Sequence, residues 1–138
     1  MASARSQKDL AVVMFVRFIS SEVHRSTGAE KGIFCLARKL RDSDILPEEE
    51  QQLLAELVDW FNQYLDAPTR FSRTRRETYR AVCWFKSSAR EHIRKIFEMI
   101  QIIEGHLLDV EMIWATEPGE IVYEDEFQVA AIPYRRRR

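Results

Sequence analysis

Between Glu120 and Ile132 the chain alternates. After a Pro118-Gly119 turn, Ile121, Tyr123, Phe127, Val129 and Ala131 fall on one side of an extended strand, with Glu124, Glu126 and Gln128 on the other. A period of two commits this region to a sheet, because a helix would scatter the same residues around its axis. A strand apolar on one face needs a core to cover it. Asp125 breaks the rule by falling on the apolar side. A carboxylate there costs several kcal/mol, on the order of 3, unless it is paired or hydrogen-bonded.

Helical periods sit upstream. Thr27-x-x-Glu30 reads as a capping box opening a helix over 28–42, with Ala29, Ile33, Leu36, Ala37 and Leu40 on its stripe. Pro47 suits a first helical position and Glu48-Glu49-Glu50 the positive end of a helix dipole. Leu53, Leu57, Trp60, Phe61 and Tyr64 then recur at helical spacing, predicting a helix over 48–65 with Trp60 in the core. Ser88-x-x-Glu91 is a second capping box. It opens a helix over 88–104 with Ala89, Ile93, Ile96, Phe97, Ile100 and Ile103 inward and Gly105 as its cap.

The run from Leu10 to Ile19 is apolar on both faces and reads as a buried strand over 11–19, with a short helix as the alternative. Strands are also predicted over 79–86, 108–116 and 121–132, the last two as an antiparallel hairpin turned by Pro118-Gly119. The order is β-α-α-β-α-β-β. The unit from Tyr79 to Thr116 predicts a βαβ crossover. The expected fold class is α+β: a two-layer sandwich of a mixed four-stranded sheet with three helices mainly on one face. With 138 residues the chain is expected to be one domain, 1–138, with 1–8 and 134–138 flexible.

Composition narrows the function classes. A net charge of −1 gives no global attraction to nucleic acid or to an anionic membrane, so any such binding must come from a local patch. The first apolar run is cut by Arg17, too early to span a bilayer. Cys35 and Cys83 each lie in an apolar run and read as buried free thiols in a reducing, cytoplasmic compartment. No Cys/His pair has metal-ligand spacing, His24, His92 and His106 are scattered, and no Gly-rich phosphate loop or Gly-x-Ser-x-Gly is present. No metal or cofactor is expected.

Three candidate surfaces remain. Glu124, Asp125 and Glu126 are consecutive acids, readable as a catalytic or metal-holding set or as a solvated face that protects an edge strand. Asp125 itself is open to three readings: a structural ion pair or hydrogen bond, with an arginine such as Arg17 or Arg80, each within a predicted strand, as the partner; a bulge that turns it outward; or a functional acid. Arg70, Arg73, Arg75 and Arg76, interleaved with Phe71, form a basic loop suited to phosphates or to acidic protein surfaces, and Arg135–Arg138 add a basic tail. Trp84 and Trp114 lie on strands, and either one on an open sheet face would mark a partner-binding surface.

Gly32-Ile-Phe34, Asp59-Trp-Phe61, Pro68-Thr-Arg-Phe71, Cys83-Trp-Phe-Lys86 and Pro118-Gly-x-x-Val-Tyr-Glu-Asp-Glu-x-Gln-Val129 together resemble a family of small, uncharacterised bacterial proteins. The resemblance runs from about residue 30 onward. It implies a bacterial, cytoplasmic, single-domain protein and carries no activity or catalytic residue with it. The arginines at 73–76 and 135–138 are not part of the pattern. The leading expectation is a non-enzymatic interaction or regulatory module that binds another protein, or a second copy, through its sheet and acidic C-terminal hairpin. The alternative is a nucleic-acid-associated protein using the arginine loop and tail. An enzyme centred on Asp125 and Glu124 is the third reading.

Overall fold

The computed structural model describes residues 14–23, 30–68, 80–106 and 109–134. Along them run β1 (Phe15–Val23), β2 (Glu30–Gly32), α1 (Ile33–Arg41), α2 (Glu48–Tyr64), β3 (Val82–Lys86), α3 (Arg90–Glu104), β4 (Glu111–Ala115), β5 (Glu120–Glu124) and β6 (Gln128–Ile132). The class is α+β, with the three described helices on one side of one sheet.

β1 organises the sheet. Phe15, Val16, Phe18 and Ile19 are all buried, the outcome expected of a run apolar on both faces. One edge of β1 pairs with β4, from Phe15 opposite Ala115 to Ile19 opposite Glu111. The other edge is shared. Phe15 and Val16 pair with Lys86 and Phe85 of β3, whereas Ile19 and Val23 pair with Gly32 and Glu30 of β2. β6 lies beyond β3, and β5 beyond β6. Every pairing is antiparallel.

The mixed four-stranded sheet is thus corrected to an antiparallel sheet of six strands. β3 and β4 do run parallel to each other, but β1 lies between them and pairs antiparallel to both. The central place goes to the strand that buries both faces. The hairpin is also corrected. β4 does not pair with β5, and Pro118-Gly119 instead leads from one edge of the sheet to the other. The predicted strand 121–132 is two strands, β5 and β6, paired with each other around a turn.

Helix boundaries moved for comparable reasons. Glu30–Gly32 is taken up by pairing with β1, so α1 begins at Ile33, with an extended Gly32 at its N-cap and no side chain there to accept a capping bond. Its buried residues, Ile33, Leu36, Ala37 and Leu40, keep the i, i+3, i+4, i+7 spacing. Arg38, Lys39 and Arg41 in the last turn complement the dipole. In α2 the buried line is Leu54, Leu57, Val58 and Phe61, so Leu53 and Tyr64 are exposed and Trp60 is only half-buried at its margin. In α3 the inward residues are His92, Ile96, Met99, Ile102 and Ile103. Phe97 is exposed, and neither Ser88 nor any other side chain caps the first turn.

The main core lies between helices and sheet, where these residues meet Val16, Phe18 and Phe85. Phe15, Trp84, Val129 and Ala131 form a second buried cluster on the opposite face, with Val82, Ile113 and Ala115 against it. Gly119 shows how closely β5 and β6 approach. Its φ is +135°, and a Cβ there would lie 2.2 Å from the carbonyl oxygen of Ile132. Only glycine fits without strain.

Candidate functional site

The break in alternation at Asp125 is the turn between β5 and β6. Its Oδ1 accepts from the backbone N–H groups of Phe127 (2.8 Å) and Gln128 (3.0 Å). Oδ2 accepts from the Tyr123 hydroxyl (2.8 Å) and Gln128 Nε2 (3.1 Å). The Asp125 N–H donates to the Gln128 carbonyl at 3.0 Å, closing the other direction of the turn. This is the local chemistry for which aspartate is favoured at the first position of a turn. Partial burial pushes its carboxyl pKa up, but these hydrogen bonds outweigh that and hold it below the usual carboxylate range. The same contact raises Tyr123 to about 12.

Of the readings left open for Asp125, the hydrogen-bonded structural carboxylate is the one observed, and its anchors are turn groups, with no arginine among the bonds described. Both oxygens are engaged, so the carboxylate is poorly placed to take a proton from a substrate. Glu124 is exposed and lies 2.6 Å from Lys86 Nζ; Glu126 is exposed on the turn itself. Among the described residues no group of three or more His, Cys, Asp or Glu side chains is placed to hold a metal ion. Arg70, Arg73, Arg75, Arg76 and the tail Arg135–Arg138 lie outside the described residues.

The two strand tryptophans separate. Trp84 is buried on the sheet face away from the helices, with Arg17 over its ring at 5.4 Å from the centroid. Trp114 is 49% exposed. It pairs with Val16 and therefore points to the helix side of the sheet, but at the β4 edge. Met112, paired with Phe18, stands beside it at 40% exposure. Phe97 of α3 is also exposed and packs edge-on against Phe18. These three make an apolar strip along β4, whose outer edge has no strand partner among the described residues. Within the sheet, β1, β3 and β6 lie between β4 and β5.

Two features have no counterpart in the sequence reading. His92 is buried among Trp60, Phe61, Phe85 and Phe127, 4.2 Å between centroids from the last. Its Nε2 lies 2.9 Å from the Tyr64 carbonyl, which can only accept, so Nε2 carries the proton. Nδ1 has no partner. The spacing His92-Ile96-Met99 places it on the inward stripe, the one signal that could have found it. The second is a cavity of about 170 Å³ where β1, β2 and β3 meet, lined in part by both cysteines. Cys35 is half-buried; Cys83 reaches solvent, which corrects the expectation of two buried thiols. Its apolar neighbours still push the Cys83 thiol up, the Arg17 charge acting against them and Asp125 with them.

Comparison with protein families, with curated proteins and with solved structures found no match. Among the described residues no helix is long and apolar enough to cross a membrane.

Proposed function

We propose that this chain is a protein-interaction module that receives an extended segment of another protein along the outer edge of β4. The observation that carries the reading is Trp114, half-exposed beside Met112 and Phe97 on a strand with an open edge. An edge of this kind offers unpaired backbone groups for strand addition, and natural sheets blunt such edges unless they are used. β4 has no lysine, proline or bulge to blunt it.

The side chains define the segment. Met112 and Trp114 face the helix side, and Glu111 faces the other, with Asp109 and Glu117 at the two ends. Residues 109–117 contain three acids and no basic residue. A partner strand with apolar residues at alternate positions and Arg or Lys between them matches this pattern.

The test is an array of ten-residue peptides in alternating apolar-basic, alternating apolar-acidic and scrambled arrangements, read by fluorescence polarisation. The apolar-basic set should bind, and Trp114→Ser with Met112→Ser should weaken it at least tenfold while circular dichroism shows the variant still folded. Equal binding by all three sets, or no loss in the double variant, removes the reading. Concentration-dependent dimerisation abolished by the same variant would make a second copy the partner instead.

A further inference from the structure

The cavity beside β1 exists because the sheet changes partner there. On the edge of β1 shared by β2 and β3, pairing stops after Val16 and resumes at Ile19. β3 diverges correspondingly: Val82, Cys83 and Trp84 pair with β6 on one side and not with β1 on the other. The cavity occupies this gap, with Phe18 and Cys83 among the residues that line it. The first turn of α1 adds Ile33 and Phe34 to its wall.

Strand alternation fixes which backbone groups face the gap. The Met14 carbonyl accepts from the Ser87 N–H, at the end of β3. Met14 and then Val16 and Phe18, at steps of two, therefore direct their polar groups to that edge of β1. On β3 the Lys86 N–H donates to the Phe127 carbonyl, on the β6 side, so Phe85 and Cys83 direct theirs toward β1. Val16 and Phe85 are paired. The next bond of the ladder would run from the Phe18 N–H to the Cys83 carbonyl and set Arg17 opposite Trp84, and that pair is not formed. Phe18 is 3% exposed, so its N–H is left in the interior without a strand partner among the described residues. Buried backbone N–H groups are almost always satisfied, which makes this one a place for a ligand acceptor.

We propose that this cavity binds a flat, neutral ring with a lactam edge. The ligand carbonyl accepts from the Phe18 N–H, the ligand N–H donates to the Cys83 carbonyl, and the ring lies against Ile33, Phe34 and Phe85. The lactam thereby takes the place of the missing ladder bond, since it presents one acceptor and one donor side by side. Both protein groups are uncharged, which selects a neutral ligand. The volume, about 170 Å³, is below the ~300–1,000 Å³ of sites for drug-sized molecules and suits one ring or two fused rings. A single water could join the same two groups, but at ~30 Å³ it would leave most of the space along the apolar wall unfilled.

The isotope-labelled full chain is titrated with oxindole, carbostyril and phthalimide, and with the N-methyl form of each, which keeps the acceptor and the ring but loses the donor. Binding is followed by ligand-observed NMR and by nitrogen–proton correlation spectra of the protein. At least one lactam should bind with a Kd below about 1 mM, the range open to a ligand of on the order of ten heavy atoms. It should bind at least tenfold tighter than its N-methyl form. On binding, the Phe18 amide proton should move downfield and its hydrogen exchange should slow. Cys83→Phe, at an exposed position of the cavity lining, should abolish binding; the N-methyl comparison needs no variant and stands if that one does not fold. The proposal is overturned if no lactam binds below that Kd, which leaves water as the occupant. It is equally overturned if lactam and N-methyl form bind alike, if the Phe18 amide does not respond, or if a folded Cys83→Phe binds as the parent does. Peptide binding at β4 is a separate measurement, so loss of either reading leaves the other standing.

Discussion

At the β5 end of the sheet, Asp125 takes four hydrogen bonds from within its own turn and Glu124 sits against Lys86. At the β4 end, Trp114 and Met112 stand half-exposed beside Phe97 on an open edge. The first region is the most conspicuous part of the sequence, with three acids in a row; the second carries an unremarkable Glu-Met-Ile-Trp-Ala. Of the three acids only Asp125 is taken up by its own turn, while Glu124 and Glu126 stay exposed; at the other end the exposed side chains are apolar. A charged cluster says little until its partners are counted, whereas a large aromatic on an open edge has no local use that would account for it.

The comparison breaks first at Gly119. Gly119→Ala forces a Cβ into the Ile132 carbonyl at a φ that an L-residue rarely adopts. Urea denaturation should show a loss of about 4 kcal/mol or more, the range of combined overpacking and backbone strain. A parent-like curve would mean that the β5 end is looser than described.

Asp125→Ala should cost about 2–3 kcal/mol, because two backbone N–H groups and a hydroxyl lose their acceptor together. Asp125→Asn should cost less, since an amide oxygen can still serve the Phe127 and Gln128 N–H groups. The acid limb sharpens this. A carboxyl held below its unfolded value stabilises the fold above about pH 3.9 and loses that contribution as the pH falls through the folded value. The parent should therefore lose more stability below about pH 4 than Asp125→Asn does. Ultraviolet titration gives an independent check. One of the four tyrosines should ionise at about 12, and Asp125→Ala should return it to about 10.

The smallest effect belongs to the other edge. Trp114→Ser with Met112→Ser should shift stability by about 1–2 kcal/mol, because both side chains are partly buried. A loss above about 2 kcal/mol would show that the strip is core, and the contrast between the edges would disappear.

Local pattern carried the helices well and the sheet poorly. α2 and α3 appear close to their predicted ends because stripe and flanking residues are written within one turn of each other. Thr27-x-x-Glu30 imitates a cap and points to a helix from 28, yet Glu30–Gly32 pairs with β1, a competition no local signal records. The turn at Asp125 was legible as an anomaly but not as a turn, since Asp125 is the one turn-favouring residue of Tyr-Glu-Asp-Glu-Phe and apolar residues resume on the far side. Nothing near Trp114 says that its strand lies beside β1. The cavity was invisible for the same reason: it depends on where one strand leaves β1 and another joins. The basic candidates, Arg70 to Arg76 and the tail, fall outside the described residues.

The central position of β1 also sets a timetable for the ribosome. Phe15 is partnered by Lys86 on one side and by Ala115 on the other. At ~5–20 residues per second, on the order of ten seconds separate the emergence of β1 from that of β4. Until β3 follows, a strand apolar on both faces has only β2, a few residues downstream, to shield part of one edge. The nascent chain thus presents its stickiest segment early and leaves one edge of it open until β4 emerges. Interrupting synthesis before β4 leaves β1 without a neighbour on one whole edge, a natural handle for a chaperone and a natural start for aggregation.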